Sequence, residues 1–202
     1  MIVITNPFFV EDEIDILNSL FEEGLSLLHI RKPDFSELEM VQFIHQIKME
    51  FRANLVLHSH HHLAEDFGIE RFHFSEKERK ILIDFPASFS KSCRSKSTST
   101  HSIEDFNSLE NFDYAFLSPV FTSISKENYH PKIDLFSAIK SRTNHKAKMV
   151  ALGGIDSENI QKVLENGFDD FALLGNIWKN ENPLKQFKLC QQIVLSYSQS
   201  QV

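Results

Sequence analysis

Two glycine turns carry the plainest chemistry in this chain. Ala151-Leu152-Gly153-Gly154-Ile155-Asp156 puts two adjacent glycines directly after an apolar run, and Leu174-Gly175-Asn176-Ile177 puts a third after the next one. Without a Cβ, the backbone can approach an anion closely and turn its amide N–H groups toward it. A helix starting near Ser157 would add the positive end of its dipole. Two such turns at successive strand ends predict a phosphate site shared between them. The plain alternative is a pair of tight turns.

Further cations and hydroxyls sit at other turn positions. His29-Ile30-Arg31-Lys32-Pro33-Asp34 ends a second apolar run. Strand alternation sends Ile30 one way and His29 and Arg31 the other. An arginine inside a barrel mouth requires an anion, since an unpaired buried charge is costly. A diphosphate would serve through bidentate contacts, and an internal carboxylate is the competing partner. Ser118-Pro119-Val120-Phe121-Thr122-Ser123-Ile124-Ser125-Lys126 is predicted as a second anion-binding loop, with a polar surface loop as the alternative. His58, His60, His61 and His62 invite a zinc reading. Their spacing does not make a closed structural site, so they are expected as solvated histidines at a loop and helix start. His73 and His101 are better pocket candidates, or satisfied inner-layer histidines.

These residues need strands to hold them. Short apolar runs predict strands at Ile2–Ile4, Leu27–Ile30, Asn54–Leu57, Phe72–Phe74, Tyr114–Leu117, Met149–Leu152 and Phe171–Leu174. Between them lie stretches of helical periodicity. Asp12–Phe21 ends at Gly24. Ser36 and Glu39 make a capping box for the next helix, with Leu38, Val41, Phe43, Ile44 and Ile47 as its apolar residues. Helices are also predicted over Asp134–Ser141, Asp156–Glu165 and Pro183–Leu195. The segment Glu76–Ser102 is serine-rich and weakly periodic; a strand is placed at Ser97–Thr100, although Ser95, Ser97 and Ser99 alone read as a surface loop. About eight βα units in this length favour an α/β fold of the compact (β/α)8 TIM barrel type over an open sheet. In that fold the active site lies at the C-terminal strand ends, and a phosphate between loops seven and eight recurs.

The 202 residues suit one domain, here 1–202. With 21 Lys and Arg against 28 Asp and Glu, the net charge of −7 argues against nucleic acid as a partner. A small phosphorylated ligand needs only a few local donors. The two cysteines, Cys93 and Cys190, make no metal pair or disulfide framework and are read as reduced thiols of a cytoplasmic protein. No run approaches the ~20 apolar residues that span a bilayer, and the N-terminal MIVITNPFF reads as a strand rather than a signal peptide.

Taken in order, these segments resemble the thiamine phosphate synthase/TenI family over almost the whole chain. The family's Gln-x-Arg-x-Lys motif is met by His29 to Pro33, and its Asn-Asp pair by His58-Ser59. Its fourth-strand histidine and following acid are met by His73 and Glu78, and its Gly-x-Ser-x-His by Ser97 to His101. Its Gly-Pro-x-x-x-Thr-x-Thr-Lys loop is met by Ser118 to Lys126. Its Gly-Gly-Ile turn stands intact at Gly153-Gly154-Ile155, and its last phosphate-contacting pair is met by Leu174-Gly175.

The resemblance implies a transferase of thiamine biosynthesis that joins an aminopyrimidine methyl diphosphate to a thiazole phosphate and releases diphosphate. It implies that Arg31, Ser99 and Lys126 hold the diphosphate. Ser123, Ser125, Gly153, Gly154, Leu174 and Gly175 would hold the thiazole phosphate, with His29, Lys32, His58 and His73 as further substrate-binding positions. Magnesium (Mg2+) would neutralise the diphosphate as a Lewis acid, with Glu78 as its one acidic ligand here. Many small barrels dimerise, which leaves a homodimer open as the assembly.

The departures lie at one end. His29 replaces Gln, Pro33 replaces Lys, His58 replaces Asn, and Ser59 replaces the first magnesium-binding Asp. Such erosion resembles the TenI branch, whose thiazole tautomerases use a histidine where this chain has Pro119. A tautomerase or a non-catalytic thiazole phosphate- or thiamine phosphate-binding protein is therefore the alternative, with His29, His73 or His101 as base.

Overall fold

The computed structural model describes residues 1–81, 93–122 and 134–200. Strands β1 Ile2–Ile4, β2 Leu27–Ile30, β3 Leu55–Leu57, β4 Arg71–Phe74, β5 Ser95–Thr100, β6 Tyr114–Leu117, β7 Lys148–Leu152 and β8 Asp170–Leu173 form one closed barrel in chain order. All pairs are parallel. Closure comes from β1, which pairs with β2 (Ile2 against Leu27) and with β8 (Ile2 against Ala172). This is the (β/α)8 architecture.

Alternation along each strand separates two cores. Val3, Leu28, Ile30, Leu55, Leu57, Phe72, Phe74, Ala115, Leu117, Met149, Ala151, Phe171 and Leu173 belong to the larger cluster, shared with helix residues such as Leu17, Leu20, Ile44 and Phe106. Ile2, Ile4, Tyr114, Phe116, Val150 and Ala172 form a small inner cluster. Full burial of such side chains contributes roughly 1.5–3 kcal/mol each. His29 and His73 take inner positions on β2 and β4, and each is buried.

β5 runs two residues earlier than predicted, and its serines are not surface residues. Ser95 and Ser97 are buried, and Ser97 and Ser99 are hydrogen-bonded to His73 across the β4–β5 ladder. On the other face Thr100 Oγ1 donates to the Phe116 carbonyl, and Thr98 Oγ1 accepts from Arg79. Both faces are polar yet satisfied, which erases the apolar period that sequence reading depends on.

Among the helices, Ser36 and Glu39 form the predicted capping box ahead of Glu37–Gln46. Its buried residues are Met40, Phe43 and Ile44, while Leu38 points to solvent. The helix after β7 starts at Ile160 rather than Asp156, because Asp156–Asn159 are spent in a turn closed by side-chain bonds. Asp134 caps Leu135–Ala138, which continues as a 3-10 turn to Ser141. No helix among the described residues is long and apolar enough to cross a membrane.

Candidate functional site

A cavity of about 640 Å³ opens at the C-terminal ends of the strands. On one side it is lined by Gly153, Gly154, Leu174 and Gly175; on the other by Arg31, His58, His73 and Ser99. The predicted phosphate turn and the predicted arginine thus face one space.

Gly153 and Gly154 adopt φ of 101° and 67°. At Gly154 a Cβ would lie 2.3 Å from the Thr122 carbonyl oxygen and 2.7 Å from Phe121 Cβ. At Gly153 it would lie 3.0 Å from Pro119 Cα. Glycine is required twice over, by backbone sign and by the loop after β6 resting on it. The Gly153 carbonyl accepts from Phe121 N at 3.0 Å, and the Gly154 carbonyl from Asn159 Nδ2 at 2.8 Å. With both carbonyls engaged, the amides are the groups left to meet an anion. The helix that follows is too short and starts too late to add the dipole expected near Ser157. After β8, Gly175–Trp178 makes one helical turn, anchored by Trp178 Nε1 donating to the Ile4 carbonyl at 2.7 Å.

The loop after β2 splits its two cations. The Arg31 backbone is fixed by Thr5, whose Oγ1 accepts from Arg31 N at 2.8 Å. Arg31 is half-buried at the cavity wall, and no acidic side chain pairs with its guanidinium among the described residues. Lys32 borders the cavity, but its ammonium does not serve it. Nζ is fully buried 2.5 Å from Glu13 Oε2, bonds the Phe8 carbonyl at 3.1 Å, and lies over the Phe35 and Phe43 rings. Burial pushes the Glu13 carboxyl up from its usual range, against the pull of Lys32. The internal ion pair weighed for Arg31 is thus made by its neighbour, and the substrate-binding role expected of Lys32 gives way to a structural one.

Three histidines from adjacent strands meet at the cavity floor. His29 Nδ1 lies 2.8 Å from His58 Nε2, and His29 Nε2 lies 2.7 Å from Tyr114 OH. His73 Nδ1 and Nε2 lie 2.9 Å and 3.0 Å from Ser97 Oγ and Ser99 Oγ. The His58 and His73 rings stack at 4.0 Å. Burial lowers all three pKa values, helped by His73 beside His29 and His58, and by His61 and Arg31 beside His73; His73 falls to about 3. The floor is neutral at physiological pH. His58 therefore parts company with His60 and His62, which hold Ser59 and Glu37 at the surface side. Tyr114 was not singled out from the sequence. A polar-tipped aromatic at an inner position, across from an inner histidine, was its only signal.

At the end of β4, Glu78 accepts from Ser75 N at 2.7 Å and Ser75 Oγ at 2.6 Å, forming a capping box. Glu76 pairs with Lys80 and approaches His101 at 3.8 Å. His101 Nδ1 bonds the Ser118 carbonyl at 2.8 Å. Ser123, Ser125 and Lys126 lie outside the described residues.

The family model described as thiamine monophosphate synthase matches residues 1–177. The chain belongs to the thiamine monophosphate synthase family. It is 24% identical to the thiamine-phosphate synthase of Caldicellulosiruptor saccharolyticus over 196 residues, covering 93% of this chain and 86% of the relative. It is 28% identical to that of Rhizobium etli over 189 residues, covering 88% and 90%. The solved thiamine phosphate pyrophosphorylase of Bacteroides thetaiotaomicron superposes with a TM-score of 0.76 at 27% identity, covering 96% of each chain.

The carboxylates that line the cavity are Glu76 and Glu78, both after β4. Magnesium wants carboxylate oxygens beside phosphate. The β3 end offers Ser59 and histidines, and Glu78 spends an oxygen on its own helix cap. Among the described residues the β3 end brings no carboxylate and Glu78 Oε2 is spent on the cap, which is a poor fit to a protein-held magnesium site.

Proposed function

We propose that this chain acts as a thiamine phosphate synthase, joining an aminopyrimidine methyl diphosphate to a thiazole phosphate. The observation that carries this reading is one cavity with a glycine turn on one wall and, on the other, an arginine that no acidic side chain pairs among the described residues. Two anions can be held facing each other across a space that fits two small rings.

The carbon–oxygen bond to the diphosphate breaks, and diphosphate leaves with the electron pair. The methylene carbon becomes a cation delocalised into the aminopyrimidine. The thiazole nitrogen then donates its lone pair to form the new carbon–nitrogen bond. Most of the work is positioning and charge stabilisation. Arg31, Ser99 and Lys126 receive the diphosphate, while Gly153, Gly154, Ser123, Ser125, Leu174 and Gly175 receive the thiazole phosphate. Magnesium would be carried by the diphosphate rather than held by the chain. The full chain given both substrates and magnesium should release diphosphate in step with thiamine phosphate; no turnover overturns the reading.

A second reading, thiazole tautomerase, is favoured by one observation. His101 borders the cavity, and its Nδ1 bonded to the Ser118 carbonyl leaves Nε2 as the basic nitrogen. His73, with its pKa near 3, is too weak a base for that task. Binding of thiazole phosphate without use of the pyrimidine diphosphate selects this reading.

A further inference from the structure

The histidine floor is more than a replacement for amide side chains. Three imidazoles from β2, the end of β3 and β4 place ligand nitrogens within 4.8 Å of one another. We infer that His29, His58 and His73 bind one divalent transition-metal ion of the zinc class, with a fourth position open to the cavity.

The ligand type comes first. Neutral imidazole suits zinc, cobalt, nickel or copper, whereas the hard cations want oxygen.

Orientation comes second. A metal-bound histidine usually donates its other ring N–H to a fixed acceptor, which sets the tautomer and aims the lone pair. Tyr114 OH stands at His29 Nε2, and Ser97 Oγ at His73 Nδ1. Both leave the inward nitrogen, His29 Nδ1 or His73 Nε2, for the ion. Tyr114 stays a phenol, since burial raises its pKa. His73 Nε2 would exchange its Ser99 contact for the ion, and the His29–His58 hydrogen bond would open.

Distance comes third. Zinc–nitrogen bonds of about 2.0–2.1 Å in a tetrahedron put nitrogens ~3.3 Å apart. The His29 and His58 nitrogens stand at 2.8 Å and the three ligand atoms lie within 4.8 Å of one another, so shifts of roughly 0.5–1.5 Å bring them to that spacing. His58 and His73 line the cavity and His29 is fully buried. Three protein ligands with an open, cavity-facing fourth position are the pattern of a catalytic rather than a structural ion. Water or a heterocycle nitrogen would occupy it. The Arg31 charge nearby opposes a second cation, so an anion at Arg31 should tighten the metal.

The full chain, freed of metal with EDTA, is titrated with Co2+ at neutral pH and followed by visible absorption. A tetrahedral band that saturates at one equivalent and is displaced by Zn2+ is expected. His58→Ala and His73→Ala should each remove it, and Tyr114→Phe should weaken binding about 10–100-fold. His62→Ala, at the surface, should leave it. Far-UV circular dichroism identifies any variant that fails to fold, and His58, only half-buried, serves as the deciding position. No stoichiometric band, or a band that survives both cavity variants, overturns the inference. The readout needs no substrate, so it stands apart from the success or failure of the synthase reading.

Discussion

On the β7–β8 side of the mouth the main chain builds the site; on the β2–β5 side side chains build it. Gly153 and Gly154 work through amides and through a backbone sign that other residues rarely adopt. A site of that kind tolerates almost no substitution. His29, His58, His73 and the β5 serines work through matched hydrogen-bonding tips. There, one polar set can replace another provided every buried group finds a partner. The resemblance in the sequence is close on the first side and altered on the second, as that contrast expects.

The sharpest way to break this contrast is Gly154→Val. The Cβ contact of 2.3 Å and the φ of 67° must both be relieved by moving the Pro119–Thr122 loop. Affinity for a thiazole phosphate, measured by calorimetry, should fall about 100-fold or more, a loss of ~2.8 kcal/mol. Gly68 has the same φ of 67° with nothing within 4 Å of its Cβ position. Gly68→Ala should cost only the left-handed strain, roughly 1–2 kcal/mol in urea unfolding, with binding unchanged. Equal effects from the two would remove the loop contact from the explanation.

Next come the neighbouring cations. Lys32→Ala strands the buried Glu13 and should cost about 3–5 kcal/mol of stability in the same unfolding experiment. Arg31→Ala should leave the unfolding midpoint nearly unchanged while weakening phosphate and diphosphate binding about tenfold or more. A stability loss on Arg31→Ala comparable to that on Lys32→Ala would collapse the distinction.

The histidine side predicts a pH response. The folded-state pKa values lie below the usual 6.5, so the unfolded chain binds protons first. Stability is therefore full above about pH 6.5 and falls on acidification toward the folded pKa, which for His73 is about 3. Each neutral imidazole contributes up to about 1.4 kcal/mol per pH unit in that window. Urea midpoints between pH 7 and 5 should drop, and less steeply in His73→Asn. A flat profile would show that the folded and unfolded pKa values do not differ.

The smallest effect is expected at Glu78→Gln. It weakens one cap by about 1 kcal/mol, seen as a small shift in melting, and leaves magnesium dependence of turnover unaltered. A changed magnesium dependence would restore Glu78 as a metal ligand.

Much of the barrel was legible in the sequence because its strands are apolar runs one residue either side of their observed bounds, and because Gly24, Ser36 and Glu39 carry local punctuation. β5 was half-legible, since serines satisfied by His73 give no hydrophobic period. The glycine cradle could be read from residue type alone, but its dependence on Phe121 and Thr122 could not, as that contact joins two loops. Lys32 misled because adjacent cations look alike in sequence; only alternation separates Arg31 at the wall from Lys32 against Glu13. The histidine floor was hidden by the run from His58 to His62. Chain neighbours suggested a surface cluster, whereas His58 belongs with inner positions on the strands before and after it.

Trp178 is the chain's one tryptophan, and it ends the short turn that opens at Gly175. Its indole N–H is tied to the Ile4 carbonyl, where the first strand meets the last. The molecule therefore carries a built-in optical probe at the seam of its barrel, three residues beyond the loop that faces the cavity. Intrinsic fluorescence should change when an anion occupies the glycine side, so one unlabelled sample can report that binding.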